Sequence, residues 1–396
     1  MKILLKTIGV VALSLLLFIL LTFFSPIYSF RKPQAFAGPD IFNPYGALDT
    51  AWCWRRSVFH THTRVKGPWP VNECPEWPQQ VYEDYAKFGY HIVTFSNHNE
   101  LTPHPFDSTL QVNVYEHGYN VFKFHKLVFG SNKVIHFDPM IPLLASQKQF
   151  QLEYLGHSSD FIQMNHPYRT VGTCKDHMEK LSGYEIMELD TGVSTQNEYW
   201  DWALSAGHYS FGLANDDLHH PENPYNIAVR CNFLCTPSGR YADIKRTLLG
   251  GCYYAMRVPN YGDGDWEEKY ARNKELPYIT NIGLKESTIY LALSAPADSI
   301  VVTGQDHTTL SSAAQCDSLA YTLKSTDPYA RLTAYFPGGE VIYSNPFARY
   351  DASVSDSPFN NEPQKINILL TILYNLLILA LCGGVAVLIR QLFVKG

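Results

Sequence analysis

The sequence predicts an α/β protein with an all-β segment behind it and an apolar helix at each end. From about Trp54 to Met256, short apolar runs typical of strands alternate with runs of helical periodicity. After Pro277 the pattern consists of strands and turns, and residues 3–24 and 366–389 are almost entirely apolar. Alternating strands and helices form a barrel or a doubly wound sheet, and both place functional residues at the carboxyl ends of their strands.

The composition limits the class of partner. With 396 residues, of which 46% are hydrophobic, the chain can bury a large core and fold into more than one domain. Its net charge of -6 provides no broad basic field, which argues against binding to long nucleic acid and leaves short nucleotides open as substrates. Nothing in the sequence indicates a protein partner.

The N-terminal apolar run is interpreted as a membrane anchor, residues 1–28. Residues 3–24 are apolar apart from Lys6, Thr7, Ser14 and Thr22, which suffices to cross a hydrocarbon core of roughly 30 Å at about 1.5 Å per residue. A cleaved signal peptide with an apolar core at residues 10–24 is the alternative. Both interpretations place the body of the protein outside the cytoplasm.

The C-terminal apolar run predicts a second membrane helix, residues 365–390. It is followed by Arg390 and Lys395, while Lys2 and Lys6 precede or interrupt the start of the first run. Because cytoplasmic flanks carry an excess of lysine and arginine, both termini are predicted in the cytoplasm. The protein is therefore predicted in the cell membrane, with its body periplasmic or extracellular and its helices in the lipid bilayer.

Between the anchors, residues 48–270 form the predicted α/β domain. Its predicted helices cover residues 77–88, 173–181, 197–206 and 241–249, and its strands cover residues 90–96, 161–165, 184–189 and 210–213. Residues 277–350 are predicted as a small β-sandwich, with strands at 287–293, 299–302, 331–336 and 339–343. The polar stretch 351–364 is predicted to be a linker.

Histidines and carboxylates gather at the predicted strand ends. His60 and His62 follow an apolar strand, and alternate residues of a strand share one face. Further imidazoles and acids lie at other strand ends or close short apolar runs, namely His98, Glu116, His125, His166, Asp217 and His219. Scattered structural histidines are the alternative, but the clustering favours one shared metal site.

The order of these motifs resembles the PHP superfamily, named for polymerases and histidinol phosphatases. His-x-His, Asn-His-Asn, Glu-His-Gly, His125, Asn-His-Pro and Asp-x-His follow one another between about residues 59 and 254. The resemblance implies a distorted (β/α)7 barrel and a metal-dependent phosphoesterase. It also implies three ligand sets: His60, His62, Glu116 and Asp217; Glu116, His125 and His166; and His98 with His219.

The chemistry expected of such a site assigns roles to individual residues. Glu116, Asp217 and His219 are predicted to be catalytic, and Arg169, Lys66 and Asn97 are predicted to contact the substrate. A bridging carboxylate can hold two divalent ions that activate water against a small phosphate ester or nucleotide. Zinc, manganese and iron all accept this ligand set. A domain that binds metal or ligand without turnover is the alternative function.

The chain departs from the family pattern after His-x-His. PHP proteins commonly carry an Asp there, and this chain has Lys66. A lysine cannot ligate as a carboxylate does, and its charge repels a divalent ion. Two metals, not three, are therefore predicted, and Lys66 is predicted either to extend into solvent or to take the place of the third ion. A third ion would require another acid, such as Glu73 or Glu76, in place of the missing Asp.

Overall fold

The terminal helices pack side by side at one end of the body. The computed structural model describes residues 2–49, 52–67, 71–191, 194–195, 197–359 and 362–394. Met1, Lys395 and Gly396, on which part of the topology prediction rests, lie outside these ranges. Within them, two helices are long and apolar enough to cross a membrane, over 19 residues (Ile3–Leu21) and 26 residues (Ile368–Phe393). A signal sequence meets the same criterion for the first.

The helices occupy the positions that periodicity predicts, with two additions. The predicted helices at 77–88, 173–181, 197–206 and 241–249 are observed, the second of them as a single turn. A helix at 145–156 and a helix at 266–272 were not predicted from the pattern. The helices are α1 (Lys2–Leu21), α2 (Pro78–Lys87), α3 (Ala145–Gly156), α4 (Lys175–Met178), α5 (Glu198–Ser205), α6 (Tyr241–Gly250), α7 (Trp266–Arg272) and α8 (Ile368–Val394).

The strands are distributed over two large sheets and one short ribbon. Their bounds are β1 (Tyr28–Ser29), β2 (Asp40–Phe42), β3 (Cys53–Val58), β4 (Ile92–Val93), β5 (Val114–His117), β6 (Lys126–Phe129), β7 (Phe161–Met164), β8 (Ile186–Thr191), β9 (Ser194–Thr195), β10 (Phe211–Ala214), β11 (Arg230–Thr236), β12 (Tyr253–Arg257), β13 (Ile279–Lys285), β14 (Thr288–Gly304), β15 (Thr308–Thr322), β16 (Tyr329–Tyr335), β17 (Val341–Tyr343), β18 (Phe347–Tyr350) and β19 (Lys365–Ile366). The ribbon pairs β1 with β19 and so joins the chain segments next to the two terminal helices.

The smaller sheet has the order β10-β8-β7-β6-β5, with β9 on β8. The larger sheet has the order β13-β14-β16-β17-β12-β11-β3-β4, with β15 on β14, β18 on β16 and β2 on β18. The strands predicted as a separate β-sandwich thus continue the sheet of the α/β part, through the ladder between β12 and β17. The predicted strands at 287–293 and 299–302 are one strand, β14, with a register shift between Ala292 and Ala297.

The two sheets face each other without closing into a barrel in the described residues. At one gap, a single bridge joins His98 to Glu116. At the other, the side chain of Asn232 replaces a ladder: Ala214 N donates to Oδ1 over 2.9 Å, and Nδ2 donates to Ala214 O over 2.8 Å. The predicted strand 90–96 is shortened to β4, and beyond it Thr94 N and Ser96 N still donate to Val58 O and Thr61 O. Both gaps lie close to predicted metal-ligand residues.

Candidate metal centre

His60 and His62 extend from the end of β3 into the space between the sheets. Both are buried, and their ring centroids lie 5.4 Å apart. Asp217 N donates to His60 O over 3.2 Å, and His62 N donates to Leu218 O over 3.1 Å. The loops that follow β3 and β10 are therefore joined, and Asp217 is held against both imidazoles.

Glu116, in β5, lies at the centre of the cluster with a fully buried carboxylate. Its Oε2 is 3.2 Å from Nε2 of His60, 3.1 Å from Nε2 of His62 and 3.1 Å from Nε2 of His98. Its Oε1 faces a different pair, 3.2 Å from Nδ1 of His125 and 3.4 Å from Nε2 of His166. The two oxygens of one carboxylate thus serve two sets of imidazoles.

Asp217 contributes the second carboxylate. Its Oδ1 is 3.1 Å from Nε2 of His60 and 3.3 Å from Nε2 of His62, while Oδ2 accepts from Arg169 Nη1 over 2.6 Å. Nδ1 of His219 donates to the backbone carbonyl of Asp217 over 2.7 Å. Asp217 and His166 hold positive φ angles of 52° and 25°, and such conformations are retained where surrounding contacts impose them.

The donor set fits divalent metal ions. Among the described residues, ligand atoms lie within 4.8 Å of one another in the groups His60-His62-Glu116-Asp217, His62-Glu73-His98 and His98-Glu116-His125. Nε2 of His60 and both ring nitrogens of His62 are buried and make no hydrogen bond within the part of the chain that the structure describes. Such nitrogens cost free energy unless a partner, here a cation shared with the carboxylates, satisfies them.

The electrostatics of the cluster support the same conclusion. Burial alone would raise the pKa of Glu116, yet the imidazoles of His60, His98 and His125 hold it well below its usual range. Burial would lower the pKa of His60, but Glu116 and then Asp217 raise it well above its usual range. The buried carboxylates therefore require positive charge beside them, which either protons on the imidazoles or metal ions can provide.

Glu188 was not assigned to the site from the sequence, and Glu73 was named only as an acid that could replace the missing Asp. Glu188, on β8, accepts from Nδ1 of His60 over 3.0 Å and from His166 N over 2.9 Å. Glu73 Oε2 lies 3.4 Å from Nε2 of His98 and 3.8 Å from Nδ1 of His62. A carboxylate therefore lies where the third ligand set was predicted to lack one.

The three predicted substrate residues have different surroundings. Arg169 is partly exposed and pairs with Asp217, while Lys66 is exposed. Asn97 is buried: its Oδ1 accepts from Thr63 N, and its Nδ2 donates to the hydroxyls of Thr63 and Thr102, each over 2.7 Å. The amide of Asn97 is thus engaged within the protein, where it supports the loop after His62.

Comparison with known proteins finds similar structures but no match by sequence. No family model matches the chain, and no curated protein matches it. A two-domain protein from Bacteroides vulgatus ATCC 8482 containing a predicted PHP-like metal-dependent phosphoesterase is 14% identical with a TM-score of 0.39, over 79% of this chain and 98% of that chain. The lesion-specific endonuclease PfuEndoQ from Pyrococcus furiosus is 13% identical with a TM-score of 0.32, over 50% of this chain and 56% of that one. Structural similarity at these TM-scores does not indicate a function, so the function is inferred from the residues of the metal centre.

Proposed function

We propose that the chain is a metal-dependent phosphoesterase tethered to a membrane by its terminal helices. The observation that carries the proposal is the position of Glu116, whose two oxygens face separate sets of imidazoles. His60 and His62 form a ligand group with Glu116 and Asp217, whereas His125 and His166 face the other oxygen of Glu116. A carboxylate placed in this way is the ligand that two neighbouring cations share.

Two tightly bound divalent ions are proposed as the cofactors. His60, His62, Glu116 and Asp217 would hold the first, and Glu116, His125 and His166 would hold the second. Zinc, manganese and iron all suit imidazole with carboxylate. When bound, such ions lower the pKa of water and offset the charge that develops on a phosphate during displacement.

Two residues at the edge of the centre are proposed to act on the substrate. Arg169 carries five N–H donors, and one of them holds Asp217, so its partly exposed guanidinium can also bind a phosphate oxygen. Burial lowers the pKa of His219 to about 4. Because its Nδ1 donates to the carbonyl of Asp217, Nε2 of the neutral ring is free to accept a proton from the attacking water.

Hydrolysis of an aryl phosphate by the purified full chain tests this function. We expect turnover that a chelator abolishes and added zinc, manganese or iron restores. A protein that takes up stoichiometric metal and hydrolyses neither aryl monoesters nor aryl diesters would instead be a binding domain, which is the alternative function. A protein that takes up no metal would contradict both.

We further propose that residues 48–270 are one domain of the distorted (β/α)7 type, with its two sheets left open at the gaps beside Glu116 and Asn232. The other proposed units are residues 277–350, the linker 351–364 and the helices at 1–28 and 365–390. Both termini are proposed to be cytoplasmic and the body exported. A reporter that is active only in the cytoplasm should be active when fused at Met1 and when fused at Gly396. Protease added to intact cells should not cleave the C-terminus of the protein.

A further inference from the structure

Residues 137–147, on the surface of the body, contact α8 and the segment that follows α1. Met140 N donates to Oγ1 of Thr22, just beyond the end of α1, over 3.1 Å. At the start of α3, Ser146 Oγ accepts from Tyr28 N over 3.1 Å. Gln147 Nε2 donates over 3.2 Å to the hydroxyl of Tyr374, in the first turns of α8. This segment therefore lies at the ends of the two membrane-length helices.

Large apolar side chains are exposed beside these attachment points. Val121, Leu143, Leu144 and Val171 are 63%, 53%, 41% and 54% exposed, and we call these four residues the apolar rim. Backbone bonds tie together the three segments that carry them: Val121 N donates to Met140 O over 2.9 Å, and Val171 N donates to Phe122 O over 2.8 Å. Clustered exposed apolar side chains mark an interaction surface.

The same segments reach the metal centre. Tyr119, two residues before Val121, places its ring 4.8 Å from that of His98. Arg169, two residues before Val171, binds the ligand Asp217. The apolar rim and the edge of the metal centre are therefore opposite ends of the same short loops.

We propose that the apolar rim enters the lipid interface and that the substrate is the phosphate ester of a membrane lipid. This inference rests on the proposed phosphoesterase function and on membrane attachment through α1 and α8. The rim continues the surface from which those helices leave the body, so the neighbour available to it is lipid. Lys123, between Val121 and the ligand His125, is exposed and supplies the positive charge that attracts anionic head groups. A phosphate at the head-group level then lies near Arg169, whereas a soluble ester gains nothing from the rim.

Phosphatidic acid in phosphatidylcholine vesicles is a suitable probe, with the full chain reconstituted in the same vesicles. Phosphate release is compared with hydrolysis of a soluble aryl phosphate, for the wild type and for a triple variant, Val121→Ser, Leu143→Ser and Leu144→Ser. We expect the ratio of lipid rate to soluble rate to fall about tenfold in the variant. Val354→Ser, at a position 81% exposed and away from the rim, is the matched control and should leave that ratio at the wild-type value.

Cross-linking, which does not depend on enzymatic activity, tests whether the apolar rim contacts lipid. A photo-cross-linking amino acid in place of Leu143 should label phospholipid, and the same group in place of Val354 should not. Cross-links from position 143 to a second copy of the chain, without lipid, would overturn the rim's assignment to lipid. Aryl phosphate hydrolysis without phosphatidic acid hydrolysis would overturn the substrate class and leave the phosphoesterase standing. Hydrolysis of neither ester by the metal-loaded protein would overturn the proposed function and the substrate class together.

Discussion

Nδ1 of His60 lies 3.0 Å from Oε1 of Glu188, and both side chains are fully buried. The carboxylate holds a proton on Nδ1 and so leaves Nε2, which faces Glu116 and Asp217, as the ring atom that would bind a metal ion. Asn215 Nδ2 donates to the same Oε1 over 3.1 Å and holds the carboxylate in place. A carboxylate behind a ligating imidazole orients the ring and raises its basicity.

Glu188→Gln should weaken metal binding while preserving the fold. The amide keeps the shape of the side chain but loses the charge that holds the proton on Nδ1 of His60. We expect affinity for zinc to fall by about 10- to 100-fold, measured by competition with a chromophoric chelator. Glu267→Gln, at an exposed position on α7, is the control. Equal affinity in both variants would show that Glu188 has only a packing role.

Glu116→Gln should abolish activity and remove at least one metal ion. A neutral amide cannot offset two cations, and its NH2 group would face either Nδ2 of Asn165, which now donates to Oε1 over 2.9 Å, or the imidazoles on Oε2. We expect aryl phosphate turnover to fall on the order of a hundredfold or more. Metal content by mass spectrometry should fall with it, and Glu83→Gln on α2 should change neither. Full metal content with near-normal turnover would refute the shared-ligand assignment.

The gathering of these side chains could be predicted because strand ends converge. His60, His166 and Asp217 each follow the carboxyl end of a strand, where a polar residue stands out after an apolar run. Glu188 also gave a signal, since it is an acid inside the buried strand β8, yet the strand pattern draws attention to the ends. Glu73 could be named only together with Glu76 as a possible replacement for the missing Asp, because it lies in a loop without periodicity and only the folded chain places it near His98.

The α/β alternation could likewise be predicted from the sequence, but the connection between sheets could not. Strand periodicity does not reveal which strands pair, so residues 277–350 were predicted as a separate β-sandwich, whereas β17 in that range pairs with β12 of the α/β part. The amide of Asn232 stands in for a backbone ladder beside Ala214, and in the sequence it is one polar residue within β11.

Glu73→Gln should remove a third metal ion. Glu73, His62 and His98 form a ligand group, but the carboxylate is partly exposed, so we expect this ion to bind more weakly than the other two. Titration should show one more ion bound at saturation in the wild type than in Glu73→Gln. Glu222→Gln, at an exposed position, serves as the control. If both proteins bind two ions, Glu73 is not a metal ligand.

Lys66→Ala should have little effect on catalysis. Lys66 is exposed, and the position beside His98 is taken by Glu73. We expect kcat to stay within about twofold of the wild type, as for surface substitutions generally. A loss of tenfold or more, with metal content unchanged, would instead show that the ammonium contacts the substrate phosphate.

His307→Ala should destabilise the protein more at low than at high pH. His307 lies in the turn between β14 and β15, where its Nδ1 contacts Oδ2 of Asp201, a buried carboxylate on α5. Arg331 Nε also donates to Asp201, over 2.8 Å, and Tyr329 donates over 3.1 Å. The hydrogen bond to Asp201 raises the pKa of His307, although partial burial opposes the shift and the positive charge of Arg331 adds to that opposition.

The direction of the pH dependence follows from this raised pKa of His307. A group that binds its proton more tightly in the folded state stabilises that state fully below its ordinary pKa of about 6.5, and the contribution disappears as pH rises through the folded value. Thermal unfolding of the full chain in detergent should therefore separate wild type from His307→Ala at about pH 6 and bring their Tm values closer at about pH 9. His136→Ala, at an exposed position, controls for the general effect of pH. A difference in Tm that stays constant or grows with pH would mean that packing of the turn against α5, and not the charge on His307, holds the β14–β15 hairpin to the α/β part.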